Sequence, residues 1–259
     1  MGLPRQASNF GIKAELGRKP LFAFICAQAV RYWARLVNMN DNRLLKIAFL
    51  SELEVHRCGG NSWVTFILKL FEVMKANHIL KSTNRLNDKN EIYKIKTFVM
   101  ESITKLYYEN AFDQITEHNK LRTYKTFKDS YSLENYIKIS DIPLSWRKLY
   151  CSFRISCHDL EIEKGRYSRP KKSPEERICK LCNICVESEL HFIVECNKYS
   201  ELRDDLYKGI SIENSNFMNV CSENKFKYLM TTNDITIVKK VMEFIYLALL
   251  KRKQLLRKM

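Results

Sequence analysis

Cys179-Lys180-Leu181-Cys182-Asn183-Ile184-Cys185-Val186-Glu187-Ser188-Glu189-Leu190-His191-Phe192-Ile193-Val194-Glu195-Cys196 gathers four of the chain's nine cysteines and one histidine into 18 residues. Read as ligands, the pattern is Cys179-x2-Cys182-x8-His191-x4-Cys196. A Cys-x2-Cys turn aims two thiolates at one point, and a His and a Cys five positions apart can close a tetrahedron with bonds of about 2.0 to 2.3 Å. Arg177 and Lys180 nearby favour the thiolate form. Four protein ligands leave no open position for water, so the expected ion is a structural zinc that folds a segment too short for a core of its own. Cys185 offers a second register, Cys182-x2-Cys185-x5-His191-x4-Cys196. Two alternatives stand beside these: ordinary cysteines with a surface histidine, or a redox Cys-x2-Cys, which lacks its usual strand–helix context. Cys26 falls in an apolar helical stripe, and Cys58, Cys151, Cys157 and Cys221 have no partner at ligand spacing.

Outward from this cluster the chain reads as helical. Its 259 residues allow one or two domains, and 46% hydrophobic with 12% aromatic residues exclude wholesale disorder. Seven Gly and five Pro are too few for a turn-rich sandwich or barrel. The predicted class is mainly α: an irregular helical bundle with a small zinc-knuckle subdomain. Phe22, Ile25, Cys26, Ala29, Trp33 and Leu36 mark one amphipathic helix after Pro20. Asn40 or Asp41 caps a second, with Leu44, Leu45, Ala48 and Leu53 inward. Asn61 or Ser62 caps a third from Trp63 to about Leu80. A polar break at Asn84 to Asn90 precedes a long helix with Ile92, Ile95, Val99, Ile103 and Leu106. Asp141 and Pro143 open a helix carrying Leu144, Leu149 and Phe153, Tyr199 to Tyr207 is helical, and Ile235 to Leu256 faces Ile237, Val241, Phe244, Ile245 and Leu249 inward. The expected divisions are a helical scaffold over 1–163, a basic linker and zinc site over 164–210, and a helical segment with a basic tail over 211–259. No apolar run reaches the roughly 18 residues of a membrane span, and Met1 to Lys19 carries no signal-peptide core. The expected location is therefore intracellular, nucleus or cytoplasm, with no membrane partner.

Charge names the class of partner. Lys plus Arg is 44 against 29 Asp plus Glu, a formal net charge of +15. Such a chain attracts polyanions through a term that weakens steeply with salt, and nucleic acid is the commonest of them. Lys164, Arg166, Arg169, Lys171, Lys172 and Arg177 concentrate positive charge beside the cysteines, with Tyr167 able to stack on a base. Lys251, Arg252, Lys253, Arg257 and Lys258 do so at the other end, where cations also suit a helix terminus. Tyr124, Phe127 and Tyr131, interleaved with Lys120, Arg122, Lys125 and Lys128, form either a stacking surface or an aromatic core face with a basic back.

Several stretches resemble the carboxy-terminal zinc-binding region of non-LTR (LINE-type) retrotransposon reverse transcriptases. They are Arg154-Ile155-Ser156-Cys157-His158-Asp159-Leu160-Glu161-Ile162-Glu163-Lys164-Gly165-Arg166-Tyr167, Glu176 to Cys182, Glu189-Leu190-His191-Phe192, and Cys196-Asn197-Lys198-Tyr199 with Leu202-Arg203. Glu15 to Leu21, Tyr32 to Leu36 and Asn42 to Leu45 resemble the segment that follows the polymerase core of the same elements. The resemblance implies Cys179, Cys182, His191 and Cys196 as the ligands, against Cys185. It implies a tail that holds RNA or DNA during target-primed reverse transcription, with a polymerase portion in trans as a further partner. Relatives often carry Pro after the last cysteine, where Asn197 stands here, and no aromatic-x-Asp-Asp polymerase motif is present.

Three readings follow. One is a zinc-stabilised module that binds nucleic acid through phosphates and is not an enzyme; six neutralised phosphates would cost roughly a thousandfold in affinity between 50 and 200 mM salt. Another is a metal-dependent endonuclease, with Asp204 or Asp205 and Glu223 holding an ion and Lys225 stabilising the phosphate. The last is an inert or protein-interaction remnant of a retroelement.

Overall fold

The computed structural model describes residues 2–4, 6–81, 88–117, 121–128 and 132–259. Lys120, Tyr131 and residues 84–87 of the expected polar break lie outside them. The chain is mainly α, an irregular bundle; among the described residues two isolated antiparallel bridges, Leu16–Leu133 and Ile178–Val186, are the only β pairing. It divides into two compact units: Met1–Arg18 with Gln114–Met259, and Lys19–Asp113. No described helix is long and apolar enough to cross a membrane.

The larger unit opens with α1 (Asn9–Glu15), capped by the Ser8 hydroxyl, which accepts from the Gly11 N–H. The smaller unit then runs through α2 (Leu21–Val37), α3 (Leu44–Arg57), α4 (Trp63–Val73), α5 (Asn77–Lys81) and the part of α6 (Lys89–Glu117) up to Asp113. Its core joins Cys26, Val30 and Trp33 of α2 to Phe49, Ile67, Phe71, Val99 and Ile103, with the Trp33 and Phe71 rings 5.3 Å apart, edge to face. Ser62 caps α4 as expected, in a box closed by Thr65.

Three details of this unit depart from the periodicity. On α2 the buried face is Ala23, Cys26, Ala27, Val30, Trp33 and Ala34, with Phe22 and Ile25 half exposed. Small residues allow the close helix approach that large ones would block. Helix α3 starts after Arg43, with neither Asn40 nor Asp41 as its cap, and buries Lys46 and Phe49 while Leu44 and Leu45 face outward. The Lys46 ammonium donates to the Leu36 and Val37 carbonyls, at 3.2 and 2.7 Å, and so caps the carbonyl end of α2. The helix expected to reach Leu80 breaks at Lys75, whose φ of 55° is left-handed.

In the larger unit follow α7 (Asn135–Lys138), α8 (Leu144–Arg154), α9 (Glu161–Lys164), α10 (Ser200–Ser211), α11 (Ser222–Thr231) and α12 (Ile235–Lys258). Asp234 caps α12 by accepting from the Thr236 and Ile237 N–H groups at 2.8 and 3.0 Å. Helix α12 buries Ile237, Val241, Phe244 and Ile245, as its pattern predicts, and packs on α8 and α10. The Tyr124 stretch supplies core. Tyr124 is fully buried, Lys128 is buried and paired with Glu134, and Arg122 turns in to Glu163 and Glu189.

A buried ion cluster ties the first helix to this core. The Arg154 guanidinium donates to both Glu15 carboxylate oxygens, at 2.9 and 3.1 Å, and pairs with Glu134 at 3.0 Å. Arg154 is 2% exposed and Glu15 fully buried. Removing one partner would strand the other charge out of water. Glu15→Ala is therefore expected to lower unfolding stability, read by urea denaturation, by about 3 to 5 kcal/mol. A loss under about 1 kcal/mol would put the pair in the class of surface bridges.

Candidate metal centre

The segment between α8 and α10 has little regular structure, so its side chains must be placed by specific contacts. Arg177 to Glu187 forms a narrow hairpin: the Cys179 N–H donates to the Cys185 carbonyl at 2.8 Å and the Glu187 N–H to the Arg177 carbonyl at 2.9 Å. Its tip turns through Asn183, with a left-handed φ of 57°. This turn brings Cys179 and Cys182 to one side and leaves Cys185 exposed.

The other two residues come from His191–Glu195, one turn wound as a π-helix, in which the Cys196 N–H reaches back to the His191 carbonyl at 2.7 Å. On an α-helix, residues five apart point about 140° away from each other. A turn closed five residues back stacks them instead, which puts the His191 ring and the Cys196 sulfur on the same side.

The Cys179, Cys182 and Cys196 sulfurs and one His191 ring nitrogen all lie within 4.8 Å of one another. Atoms ligating one tetrahedral ion at about 2.0 to 2.3 Å sit about 3.4 to 3.8 Å apart, so this set needs only a small contraction. Nε2 of His191 is 3.3 Å from the Cys182 sulfur. Its Nδ1 is buried without a hydrogen bond and faces the Glu195 carboxylate at 3.7 Å, the position of the outer carboxylate that orients many metal-binding histidines. The four residues fit a metal ion and could hold one. Among the described residues no other group of three or more His, Cys, Asp or Glu side chains does.

The protonation of the cluster points the same way. A hydrogen bond to Cys196, together with burial, pushes the Cys179 thiol up to about 12, while His191 and the Cys182 and Leu181 backbone N–H groups pull it down. The bond from Cys179 holds Cys196 below the usual thiol value. Burial disfavours the charged His191 ring, yet the Cys179 and Cys182 thiols more than offset this and raise it. Thiols and an imidazole this close would release protons on binding a metal ion.

Buried carboxylates anchor the site. Glu187 is fully buried and accepts from Arg252 of α12 through both oxygens at 2.7 Å, and from the Glu161 N–H at 2.8 Å; its Oε1 also lies 3.9 Å from the Cys179 sulfur. Glu189 accepts from Arg122 at 2.6 Å and pairs with His158 at 2.9 Å. Burial alone would raise its carboxyl, but His158 and Arg122 outweigh that and bring it down to about 2. None of these acids was expected from the sequence; the signal is the pair Glu187-x-Glu189 set just ahead of the candidate ligand His191.

The expected basic face divides. Lys164, Arg169, Lys171 and Lys172 are exposed, and Tyr167 is 61% exposed. Arg166 is partly buried and pairs with Glu163 at 3.2 Å. Arg177 is buried: it donates to the Ile162 carbonyl at 2.8 Å and to Lys172 at 2.8 and 3.2 Å, which folds the linker back on α9. A Cβ on Gly165 would meet the Arg177 side chain at 2.5 Å, so this close approach requires glycine. Arg252, expected in a basic tail, is likewise internal. Asp204 and Asp205 are exposed on α10, Glu223 and Lys225 lie on α11, and the structure does not gather them into a metal-holding group.

No protein-family model matches the chain, and neither does any curated protein or solved structure.

Two outcomes follow from the site. Alkylation of the native chain should modify Cys58, Cys185 and Cys221, which are exposed. Cys179, Cys182 and Cys196 should follow only after a strong chelator is added, and Cys151, pushed up to about 12 by burial, should stay inert. Protection of Cys185 in place of Cys179, read by peptide mass spectrometry, would reverse the register. For Glu189 the folded value near 2 lies below the ordinary 4.5. Its pairing therefore stabilises fully above about pH 4.5 and fades as pH falls towards 2. Glu189→Gln should cost up to about 3 kcal/mol at neutral pH, with the gap to wild type closing in acid; a gap that stays constant with pH contradicts the assignment.

Proposed function

We propose that the chain is a zinc-stabilised nucleic-acid-binding module, the carboxy-terminal part of a LINE-type retroelement reverse transcriptase, that grips RNA or DNA through phosphates and carries out no chemistry of its own. The observation that carries this reading is the convergence of Cys179, Cys182, His191 and Cys196 in the segment that follows the exposed cations of the linker along the chain. Three thiolates and an imidazole form a donor set that suits zinc, and four protein ligands suit a structural ion. The ion would hold the hairpin and so present Lys164, Arg169, Lys171 and Lys172 together, with Tyr167 among them to stack on a base. The stretches around the ligands support the family by resemblance, and a polymerase portion in trans is the partner that such a piece would serve.

The inward turn of Arg177 and the pairing of Arg166 reduce the expected phosphate contacts from six to about four. The slope of log affinity against log salt should then be about −3. Between 50 and 200 mM salt, single-stranded or duplex binding should weaken by about a hundredfold. Affinity that stays flat over this range contradicts the proposal. His191→Ala should lose the metal and, with it, binding; full binding by a metal-free variant would leave the charge without any need of the site.

A further inference from the structure

The turn that carries His191 and Cys196 is of a rare kind, and the chain must hold it against the ordinary α-helix. Its start is fixed by Ser188: the hydroxyl accepts from the His191 N–H at 3.1 Å and the carbonyl from the Phe192 N–H at 2.9 Å. Its end is fixed by Arg203 of α10. The guanidinium Nε donates to the Ile193 carbonyl at 2.9 Å, and one of its terminal nitrogens donates to the Cys196 carbonyl at 2.8 Å. In an α-helix those two carbonyls would accept from the N–H groups four residues on. Bridged by one rigid guanidinium, they are held instead at the spacing of the wide turn, in which the Cys196 N–H reaches back to His191.

Arg203 is 7% exposed, yet unlike Arg122, Arg154 and Arg252 it forms no ion pair with a carboxylate among the described residues. Burial pulls the guanidinium below the ordinary arginine value, and Tyr207, Cys196, Asp204 and Glu195 offset this only in part. A buried cation without a counter-ion is costly. The neighbouring site supplies one when loaded, because three thiolates, a neutral imidazole and a divalent ion sum to a single negative charge. Arg203 thus meets the ligand turn twice, as a double donor to its backbone and as a cation beside the charge that the loaded site would hold.

We infer that Arg203 is the positioning residue of the candidate metal centre: it clamps the Ile193 and Cys196 carbonyls so that the His191 ring and the Cys196 sulfur stand ready on one side, and it balances the charge of the loaded site. Its hydrogen bonds go to backbone carbonyls, so it acts through the ligands rather than on the ion. Without it the turn relaxes towards an α-helix, which swings Cys196 about 140° away from His191. The ion would then keep the two hairpin cysteines and only one further ligand. This rests on the metal-binding reading above and names the residue that sets the affinity of that site.

The test is the zinc affinity of the full chain, measured by competition with a chromophoric chelator, together with the absorption spectrum of the cobalt(II) form, which reads sulfur ligation and tetrahedral geometry. Arg203→Met keeps an apolar stem and removes the donors. It should bind zinc about 10- to 100-fold more weakly, the range for losing an outer partner of a metal ligand. Its cobalt form should lose part of the sulfur-to-metal charge-transfer absorption. Arg203→Lys keeps the charge yet bridges only one carbonyl, and its affinity should fall between the two; it decides the matter where the methionine variant does not fold. Glu15→Ala removes a buried strut of the same unit away from the turn, and so separates positioning from general loosening: it should lower stability and leave zinc affinity at the wild-type value. Wild-type affinity and spectrum in either Arg203 variant, or an equal loss of affinity in Glu15→Ala, overturns the assignment while the metal site stands. A wild-type chain that takes up no zinc overturns both.

Discussion

A carboxylate buried away from water is costly unless its charge is met, and Glu187 is met on every side. It holds the Arg252 guanidinium through both oxygens, takes the Glu161 N–H, and sits behind the Cys179 sulfur. One side chain thus links α12, the start of α9 and the hairpin that carries two of the candidate ligands. The cysteine segment is for that reason part of the larger unit's interior: Cys179, Leu181, Phe192 and Cys196 share one apolar cluster with Phe244 and Ile245 of α12. The rings of Phe153, Phe192 and Tyr199 continue the contact, with neighbouring centroids 5.2 and 4.7 Å apart. A metal ion at this point would tie together a stretch that has almost no helix or sheet hydrogen bonding of its own.

The same arrangement decides which positive charges are left for a partner. Arg122, Arg154, Arg177 and Arg252 are spent on buried acids and carbonyls, where a planar guanidinium can serve several acceptors at once. The lysines of the linker stay in water. Arginine supplies most of the struts around the cysteine segment while the linker keeps its lysines and Arg169 outside, so the net charge of +15 overstates what a nucleic acid would meet at the linker.

Much of this was legible in the residues. Few glycines and prolines, together with three- and four-residue spacings, gave the helical class, and the inward face of α12 followed its pattern because its apolar residues are large and regularly placed. The clustering of Cys179, Cys182, His191 and Cys196 was legible because thiolate spacing is local. What could not be read has physical causes. Helix α4 ends at Val73 and the chain leaves it through a left-handed Lys75, with no glycine to announce the turn. The register of α3 follows Lys46, which is drawn in by carbonyls at the end of another helix. The π-turn that aligns His191 with Cys196 leaves no mark in the spacing, and the inward turn of Arg177 depends on Gly165 leaving it room. Contacts made across dozens of residues, such as Arg252 with Glu187, are invisible to periodicity.

The central claim concerns what the three sulfurs and the imidazole hold. X-ray absorption at the zinc edge on the purified full chain reads that shell directly. The account predicts one ion per chain with three sulfurs at about 2.3 Å and one nitrogen at about 2.0 to 2.1 Å. A protein that binds no metal when supplied with zinc, or a shell dominated by oxygen, would contradict it.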